Sequence, residues 1–557
     1  MNSPELRLSG SQSGSDNIIT FSEVRPLKTL NNILRSIIYI LGGGALLFIT
    51  YLNLTGTAFM PLTDAELVSF ETDNVLFYLV LMTVLACIIS FGFFTFRNPH
   101  GFFPKSGVLL FFITGTVLYL GFGLYLIFRI PTDLRADAYA IYTAAEEIKN
   151  GNYSSLILDT ATAEGTYASG YLAAYPHQIG ITLILSLLLR VLPGLRYIFI
   201  LNLILILLNN LLMLNISDAL FHNDQTNFMT VLLSFILLPH FFLSIFCYGI
   251  IPGLTALLVS FLALIKFEET GNIFHAVCAV IFGAFAIVLR NNYMIGVIAE
   301  TILLLLIFLR SFENDRKKVI GRIRYIAAAV LLIAAMIIPN TALKIGIGNI
   351  SGHNLTDSIP RSAWMAMGLS EGTRAEGWYN GYNYNTFREN GYDQKATDEA
   401  ARALIGERLQ AFRSDHDYAY TFFMRKLAST WSEPTFQSVW VGPQEASAGK
   451  IGGFLFKNIY SGGGAYDITC VICSIVYLVV LAGCVLFLAK SLIRRIQMLT
   501  DRYSHRDTVT VFTAFPILFL LGVFLFHLVW ETKSLYVFSS VYMLLPLAAA
   551  GLSFTEK

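Results

Sequence analysis

The chain has 557 residues, of which 55% are hydrophobic and only 13% are charged, and its mean hydropathy is +0.62. This composition excludes a soluble globular enzyme, because a membrane-spanning helix needs roughly 20 mainly apolar residues and the chain supplies many such stretches. Lysine and arginine (38) nearly balance aspartate and glutamate (37), so no global basic surface indicates a nucleic-acid partner. We therefore predict an all-α polytopic membrane protein that is surrounded by membrane lipids.

Basic residues set the predicted topology. Arg25 and Arg35 place the amino terminus in the cytoplasm by the positive-inside rule, and Arg310 and Arg494 mark later cytoplasmic ends. A short apolar run, 178–192, would cover only about 22 Å as a helix, and a crossing there would put the early and late basic residues on opposite sides. We therefore expect 178–192 to lie in the outer interface, with both termini inside. The twelve predicted spans are 32–54, 75–95, 107–129, 196–221, 227–246, 251–268, 273–290, 292–310, 321–343, 465–490, 508–528 and 535–553.

The predicted spans divide the chain into five parts. They are a cytoplasmic tail (1–31), two additional N-terminal spans (32–106), a central transmembrane module (107–345), an external domain (346–464) and the C-terminal spans (465–557). Within the module, the spacing of apolar residues predicts interfacial helices at 134–150 and 178–192 in one external loop. The external domain is rich in Gly, Tyr and Trp, and we expect helices in it near 396–412 and 416–430.

Asp137 is the first candidate for chemistry, because it lies near the start of the predicted 134–150 helix, close to the membrane. A carboxylate there could take the proton of an incoming hydroxyl while a lipid headgroup reacts beside it. Asp133 lies four residues earlier and would share a face with Asp137 if the helix began early enough. The alternative is structural: Asp133 caps the helix, and Asp137 is stabilised by the positive amino-terminal end.

Two segments of the same external loop resemble a known family. DAYAIYTAAEEIKNGNY begins at Asp137 and YLAAYPHQIG begins at Tyr171, and together they look like the first external loop of GT-C-type glycosyltransferases. These integral membrane enzymes, which include the protein mannosyltransferase and aminoarabinose transferase kinds, use polyprenyl-phosphate sugars. In the family, an Asp begins the first interfacial helix as catalytic base, and a Pro-containing motif opens the second. The resemblance implies that Asp137 is the base. Tyr175 and His177 lie on either side of Pro176, and His177, at the mouth of the second interfacial helix, could orient substrate.

A third segment supports the resemblance, and one position departs from the family's pattern. WETKSLY, which begins at Trp530, is similar to an E-x-K-x-x-Y segment found before the last span of bacterial members. Many relatives carry an acidic pair where this chain has Asp137-Ala138-Tyr139, which argues against the metal-dependent, oligosaccharide-transferring variety. The resemblance therefore implies no metal and no cofactor, with the lipid-phosphate-linked sugar serving as donor substrate.

A lipid-phosphate donor needs cations at the outer face. Arg190 and Arg196 flank Pro193-Gly194 after the second interfacial helix, and Arg290 begins a polar hinge, Arg290-Asn291-Asn292, between two spans. An arginine beside a phosphate forms bidentate, charge-assisted hydrogen bonds and would stabilise the leaving phosphate. The alternative for each arginine is that its head group only reaches the lipid headgroups of the interface.

Further candidates lie before the last span and in the external domain. Lys533 and Tyr536 are on the external side in the predicted topology, where Lys533 could contact a phosphate or form an ion pair. The stretch 377–384 has aromatic rings and amides suited to sugars, although such residues also fill small cores or the interfacial aromatic belt. The candidate donor-phosphate residues are Arg190, Arg196, Arg290, Lys533 and Tyr536. The candidate substrate contacts are Asp133, Tyr175, His177, Trp378 and Glu531.

These residues predict an inverting glycosyltransferase of the plasma membrane, with its active site on the extracytoplasmic side. It would move a sugar from a polyprenyl phosphate to a hydroxyl of an external glycan or related acceptor, with Asp137 deprotonating that hydroxyl. Two rivals stay open from the sequence. One is a transporter or flippase of lipid-linked glycans, in which polar groups line a path. The other is a non-catalytic glycan-assembly subunit, which would keep the fold without needing Asp137.

Overall fold

The computed structural model describes residues 21–72, 75–76, 78–81, 83, 105–158, 168–312, 319–352, 355, 358–500 and 511–553. Within these residues the chain is built almost entirely of helices, as the composition predicts. In chain order the α-helices are α1 (Phe21–Thr55), α2 (Lys105–Arg129), α3 (Ala136–Lys149), α4 (Tyr171–Ala174), α5 (Ile179–Leu188), α6 (Leu195–Phe221), α7 (Asp224–Ile236), α8 (Leu238–Phe242), α9 (Ile250–Thr270), α10 (Ile273–Leu289), α11 (Met294–Ser311), α12 (Val319–Ser351), α13 (Arg361–Gly368), α14 (Tyr382–Glu389), α15 (Gln394–Ser414), α16 (His416–Trp431), α17 (Glu445–Ala448), α18 (Phe454–Tyr460), α19 (Gly464–Thr500), α20 (Ala514–Val529), α21 (Ser534–Met543) and α22 (Leu545–Leu552).

Eight of the described helices are long and apolar enough to cross a bilayer: α1, α2, α6, α9, α11, α12, α19 and α20. Two further pairs would each qualify as one bent span, because α7 and α8 together, and α21 and α22 together, are apolar but bend by 54° and 52° at a short break. The described part of the chain therefore holds eight to ten candidate spans. The molecule is an all-α polytopic membrane protein, in agreement with its composition.

The predicted count of twelve spans is not reached in the described residues. The run 273–290 forms α10, which has 17 residues and is shorter than the other candidates. The predicted span 75–95 lies mostly outside the described residues. The run 178–192 forms a 3₁₀ turn, Pro176–Gln178, and the ten-residue helix α5, which together are too short for a comfortable crossing.

A two-stranded hairpin follows α1 and was not predicted from the sequence. Its strands, β1 (Gly56–Phe59) and β2 (Ser69–Thr72), are antiparallel. The connecting loop is fastened by Arg135, whose guanidinium donates to the carbonyl oxygen of Thr63 at 3.0 Å and to that of Pro443 at 3.1 Å. The loop is thereby joined to the start of α3 and to the region after α16, which both contribute to the cavity described below.

Glycines allow α5 and the start of α9 to pack closely against the carboxyl end of α10. A Cβ atom at Gly180 would lie 2.2 Å from the carbonyl oxygen of Val288, and one at Gly249 would lie 2.3 Å from that of Leu289. Gly249 also has a φ of +74°, which favours glycine. This close packing holds both segments beside Arg290, the residue that ends α10.

Candidate active site

One cavity of about 2290 Å³ lies between the helix bundle and the segments that connect its helices. Its walls come from the hairpin loop, the start of α3, the segment from α4 to α5, the turn after α10, the 346–464 segment and the turn before α21. These are the regions that the charge pattern assigns to the external side. Because they share one cavity, they lie at the same end of the bundle, as the predicted topology requires of them.

Asp137 enters this cavity from the first turn of α3. Arg135 is the N-cap residue, and Ala136 has a φ of +46°, a backbone conformation that L-residues rarely adopt. The neighbouring helix residues Ala138 and Ile141 are buried in the core, whereas Asp137 is partly exposed. The carboxylate of Asp137 therefore lies at the cavity, near the amino-terminal end of the helix.

Tyr248 connects Asp137 with the core of the protein. Its hydroxyl donates to Asp137 Oδ2 at 2.9 Å and accepts a hydrogen bond from Gln178 Nε2 at 2.8 Å. Burial and the negative charge of Asp137 both raise the pKa of Tyr248 well above 10, while Arg290 opposes this shift. Tyr248 therefore keeps its proton at neutral pH and fixes Oδ2 of Asp137, and the Tyr171 side chain also hydrogen-bonds to Asp137.

Arg290 lies beside this pair, between two aromatic rings. Its guanidinium carbon is 4.5 Å from the ring centre of Tyr248 and 5.2 Å from that of Tyr536. Nη1 donates to the Tyr248 carbonyl oxygen at 3.3 Å. In the part of the chain that the structure describes, no carboxylate forms an ion pair with Arg290. The positive charge of Arg290 is thus oriented by ring stacking and faces the cavity without a neutralising partner.

Lys533 is paired instead. Its Nζ lies 2.8 Å from Glu66 Oε1 and 3.0 Å from Oε2, and the same carboxylate accepts hydrogen bonds from Arg374 and from Gln437. Burial would raise the pKa of Glu66, but Lys533 and Arg374 hold it below 4.5. Burial would lower the pKa of Lys533, but Glu66 and the other nearby carboxylates raise it. Lys533 therefore forms an ion pair, which was one of its two predicted roles, and it also lines the cavity.

The turn between α20 and α21 carries both Glu531 and Lys533. Buried Lys426 holds this turn, because its Nζ donates to the carbonyl oxygens of Leu528 at 3.1 Å and Trp530 at 2.9 Å. Burial raises the pKa of Glu531 to about 7, so this acid is close to half-ionised at neutral pH. We call the following residues the charged half of the cavity: Glu66, Arg290, Arg374, Glu531 and Lys533.

An aromatic wall lines another part of the same cavity. It consists of Tyr175, His177, Trp364, Tyr379 and Tyr384, which all contribute to the cavity lining and are all partly exposed. The Tyr175 ring centre lies 5.7 Å from that of Trp364, 6.2 Å from that of His177 and 6.4 Å from that of Tyr384. Burial lowers the pKa of His177 to about 4, so this histidine is neutral at pH 7.

The third boundary of the cavity is α12. Ile333, Met336 and Ile337 line the cavity, and Ile333 and Ile337 are 48% and 63% exposed. Farther along the helix, Asn340 and Lys344 line the cavity as well. The lining of this helix thus changes from apolar to polar along its length, which suits a ligand with a hydrocarbon chain and a polar head.

Four predicted site residues lie elsewhere. Trp378 is fully buried, and its Nε1 donates to Ser429 Oγ at 2.9 Å, so it belongs to the core of the 346–464 segment. Arg196 donates to the carbonyl oxygens of Phe128 and Ile130, at 3.4 Å each, and does not line the cavity. Arg190 is exposed at the end of α5 and also lies outside the cavity lining.

Asp133 is the fourth of these residues. Helix α3 begins at Ala136, so Asp133 precedes it, neither caps it nor shares a helical face with Asp137, and accepts a hydrogen bond from Ser447 instead. The expected early helix start was wrong, because Arg135 occupies the N-cap position in an extended conformation. Asp133 therefore fastens the start of α3 to the region of α17.

Several cavity residues were missed by the sequence reasoning. Neither Glu66 nor Tyr248 nor Arg374 was among the predicted site residues. Tyr248 occupies a short turn between α8 and α9, where its neighbours are apolar. Glu66 is one of four acidic residues in the loop 55–74, which has no lysine or arginine, and its two cationic partners lie over 300 residues away in the chain.

Comparison with known proteins adds no family to these observations. No protein-family model matches the chain, and no curated protein matches it as a relative. The function is therefore argued below from the cavity and its residues.

Proposed function

We propose that this protein is a membrane glycosyltransferase that takes a sugar from a polyprenyl phosphate and transfers it to a hydroxyl acceptor. The observation that carries the proposal is that Asp137 lines one cavity together with Arg290 and Lys533. A carboxylate and cations are the two kinds of group that this transfer needs, one for the acceptor proton and the others for the leaving phosphate. The proposed site lies on the extracytoplasmic side of the plasma membrane, as the positive-inside rule assigns it.

In the proposed reaction Asp137 is the general base. Its carboxylate accepts the proton of the acceptor hydroxyl as the hydroxyl oxygen attacks the anomeric carbon of the donor sugar. The bond between that carbon and the phosphate oxygen breaks, and its electron pair stays with the phosphate. Attack from the side opposite the leaving group inverts the anomeric configuration. Polyprenyl phosphate is released, and no general acid is needed because phosphate is already a good leaving group.

The charged half of the cavity is suited to stabilise that phosphate. Arg290 is free of any carboxylate in the described residues, and stacking between Tyr248 and Tyr536 orients its planar head group. A planar guanidinium donates two parallel hydrogen bonds to a phosphate. Lys533 adds a second cation once the donor competes with Glu66 for it. Charge that develops on the phosphate in the transition state would thus meet donors that are already in place.

The side of the cavity formed by α12 suits the lipid part of the donor. Ile333 and Ile337 line the cavity and are also substantially exposed, so an isoprenoid chain lying along this helix would cover apolar surface on its way to the charged half. Each methylene group that leaves water contributes about 0.8 kcal/mol, which makes a long hydrocarbon chain an effective anchor.

The experiment uses the purified full chain in lipid nanodiscs with a panel of polyprenyl-phosphate hexoses that carry a labelled sugar, and with methyl pyranosides as hydroxyl acceptors. We expect wild-type protein to release polyprenyl phosphate from one of these donors, and Asp137→Asn to slow this release by about 10²–10⁴-fold, the usual range for loss of a general base. Asp133→Asn is the matched control, because Asp133 lies outside the cavity lining. Full activity of Asp137→Asn would remove Asp137 from the role of base.

The same nanodisc sample is compared with sealed vesicles to test the transporter alternative. If wild-type protein moves an intact labelled lipid across the vesicle membrane and never cleaves the sugar from the phosphate, the transporter explanation replaces the proposal. If neither cleavage nor movement occurs while the donor binds, the non-catalytic subunit explanation replaces it.

A further inference from the structure

The rings of the aromatic wall are not enclosed by the core. Trp378 and Trp431, by comparison, are fully buried. In contrast, Trp364 and Tyr384 are partly exposed, and the surface that they expose lines the cavity. Rings of an interfacial belt would face lipid, so the belt does not account for a wall inside a cavity.

The wall is also electrically neutral over most of its surface. Tyr175 and Tyr384 have raised pKa values, above all because of burial, and His177 is uncharged at pH 7 because burial lowers its pKa to about 4. Arg374 lies over the Tyr379 ring at 5.1 Å, and it belongs to the charged half. The wall has no positive charge of its own to attract an anion, and the Tyr379 face is already covered by the cation of Arg374. The remaining π faces suit a ligand with flat apolar faces.

The wall begins next to the proposed base. Tyr171 is the first residue of α4, and its side chain lies close to that of Asp137. Burial raises the pKa of Tyr171 most, and the negative charge of Asp137 raises it further. The ring centre of Tyr171 lies 5.0 Å from that of Tyr175, and Tyr175 in turn contacts Trp364 and Tyr384. A ligand that covers the wall therefore extends to Asp137 at one end.

We propose that the aromatic wall is the acceptor subsite and that the acceptor is a neutral pyranose-containing glycan. This inference rests on the proposed transfer reaction and names the chemical class of its second substrate. The axial C–H bonds on one face of a pyranose ring pack against aromatic faces, and its hydroxyls need polar partners. Asn340, Asn349 and Gln394 line the same cavity and supply amides for those hydroxyls. A pyranose seated on Tyr175 and Trp364 would then present a hydroxyl toward Asp137.

The test measures binding of simple sugars directly by saturation-transfer-difference NMR. The full chain is placed in nanodiscs free of sugar detergents and mixed with the methyl pyranosides of glucose, galactose, mannose and rhamnose as probes. We expect wild-type protein to transfer saturation to the ring C–H protons of at least one probe. Trp364→Leu fills a similar space without a π face and should lower this signal about tenfold, whereas Trp364→Phe keeps a ring and should retain most of it.

Two controls separate a glycan subsite from general loss of structure. Tyr420 is 67% exposed on α16 and does not line the cavity, so Tyr420→Leu should leave the signal unchanged. Asp137→Asn should keep the binding signal while it abolishes transfer. No saturation transfer to any of the four probes in wild-type protein overturns the inference, and so does an unchanged signal in Trp364→Leu.

The two proposals fail in different ways. If no tested donor supports transfer but glycoside binding depends on Trp364, the proposed transferase reaction is wrong and the proposed glycan site stands. If transfer depends on Asp137 but Trp364→Leu does not change the acceptor KM, the proposed reaction stands and the aromatic wall is not its acceptor subsite.

Discussion

The two sides of the cavity hold their functional groups by different means. In the charged half, a cation has a carboxylate partner or lies stacked between rings, as Lys533 pairs with Glu66 and Arg290 lies between two tyrosines. In the aromatic wall, neutral rings such as Tyr175 and Trp364 contact one another at their edges and faces. In the proposed reaction, charge would decide binding on one side, and shape and dispersion would decide it on the other. A site of this kind can treat a phosphate donor and a neutral acceptor as separate ligands, with Asp137 between them.

Within the charged half, Arg290 and Lys533 also differ from each other. Both were predicted as donor-phosphate residues. Arg290 keeps its charge available, whereas Lys533 shares a buried carboxylate with Arg374. A phosphate would gain the full interaction with Arg290, but it would have to compete with Glu66 for Lys533. We therefore expect the two residues to contribute unequally to donor binding.

Among changes in the charged half, the largest effect on donor binding is expected from Arg290→Ala. The change removes the unpaired cation, and a charge-assisted contact contributes about 1.5–3 kcal/mol, so the KM for a polyprenyl-phosphate sugar should rise roughly ten- to hundredfold. The acceptor KM should stay within about twofold, because the aromatic wall does not depend on this charge. Both constants are measured by initial rates in nanodiscs.

Arg196→Ala is the matched control for that experiment. The sequence assigned Arg196 to the donor phosphate, but it hydrogen-bonds to backbone carbonyls outside the cavity lining. We expect its donor KM to equal that of wild-type protein. A rise in donor KM for Arg196→Ala with none for Arg290→Ala would reverse the assignment that the cavity favours.

A smaller effect of opposite sign is expected from Glu66→Gln. At neutral pH Glu66 is ionised, since Lys533 and Arg374 hold its pKa below 4.5. Removing its charge frees both cations for the donor phosphate. With a gain on the order of 1 kcal/mol, the donor KM should fall roughly fivefold. Glu376→Gln breaks a comparable pair with Arg425 outside the cavity lining and should leave this constant unchanged.

The melting temperature of Glu66→Gln shows how a rise in its donor KM, instead of the expected fall, is to be interpreted. A buried carboxylate between two cations also holds the hairpin loop in place, so some loss of stability is expected. If the variant remains folded and its donor KM rises, then Glu66 orients Lys533 toward the phosphate and does not compete for it.

The helices were largely predictable from the sequence, because apolar length is a local property. The predicted helices near 396–412 and 416–430 appear as α15 and α16, and the predicted interfacial helix 134–150 appears as α3. The number of membrane spans was harder to predict from the sequence. Helix α10 is shorter than a typical span, and two of the candidate spans are bent pairs, which a hydropathy window does not distinguish from straight helices.

A residue of the candidate site was predictable only where its own type and its place in the sequence pointed to a function. Asp137, Arg290 and Lys533 stand out as charges at the ends of apolar segments, and all three line the cavity. Glu66 and Tyr248 do not stand out, because their roles arise from contacts between segments that are distant in the chain. Trp378 shows the reverse error: an aromatic residue in a Gly- and Tyr-rich stretch is buried, and its neighbour Tyr379 lines the cavity in its place.

The last expected effect concerns stability and not donor binding: the pH dependence of stability tests whether Glu531 adds charge to its half of the cavity. Burial raises its folded-state pKa to about 7 from 4.5. A group with a raised folded-state pKa stabilises the fold fully below its unfolded pKa, and that contribution is lost as pH rises through about 7.

Glu531→Gln mimics the protonated acid at every pH. Its melting temperature should match that of wild-type protein near pH 4.5 and exceed it at pH 8, where ionisation of the buried acid costs wild-type protein of the order of 1–3 kcal/mol. Glu407→Gln, at an exposed position of α15, should give a curve parallel to wild-type protein. If Glu531→Gln differs from wild-type protein by the same amount at pH 4.5 and pH 8, the pKa of Glu531 is the same in the folded and unfolded states, and Glu531 is ionised at neutral pH. Two carboxylates, Glu66 and Glu531, would then oppose the three cations of the charged half at neutral pH, and the donor phosphate would meet less positive charge than a protonated Glu531 allows.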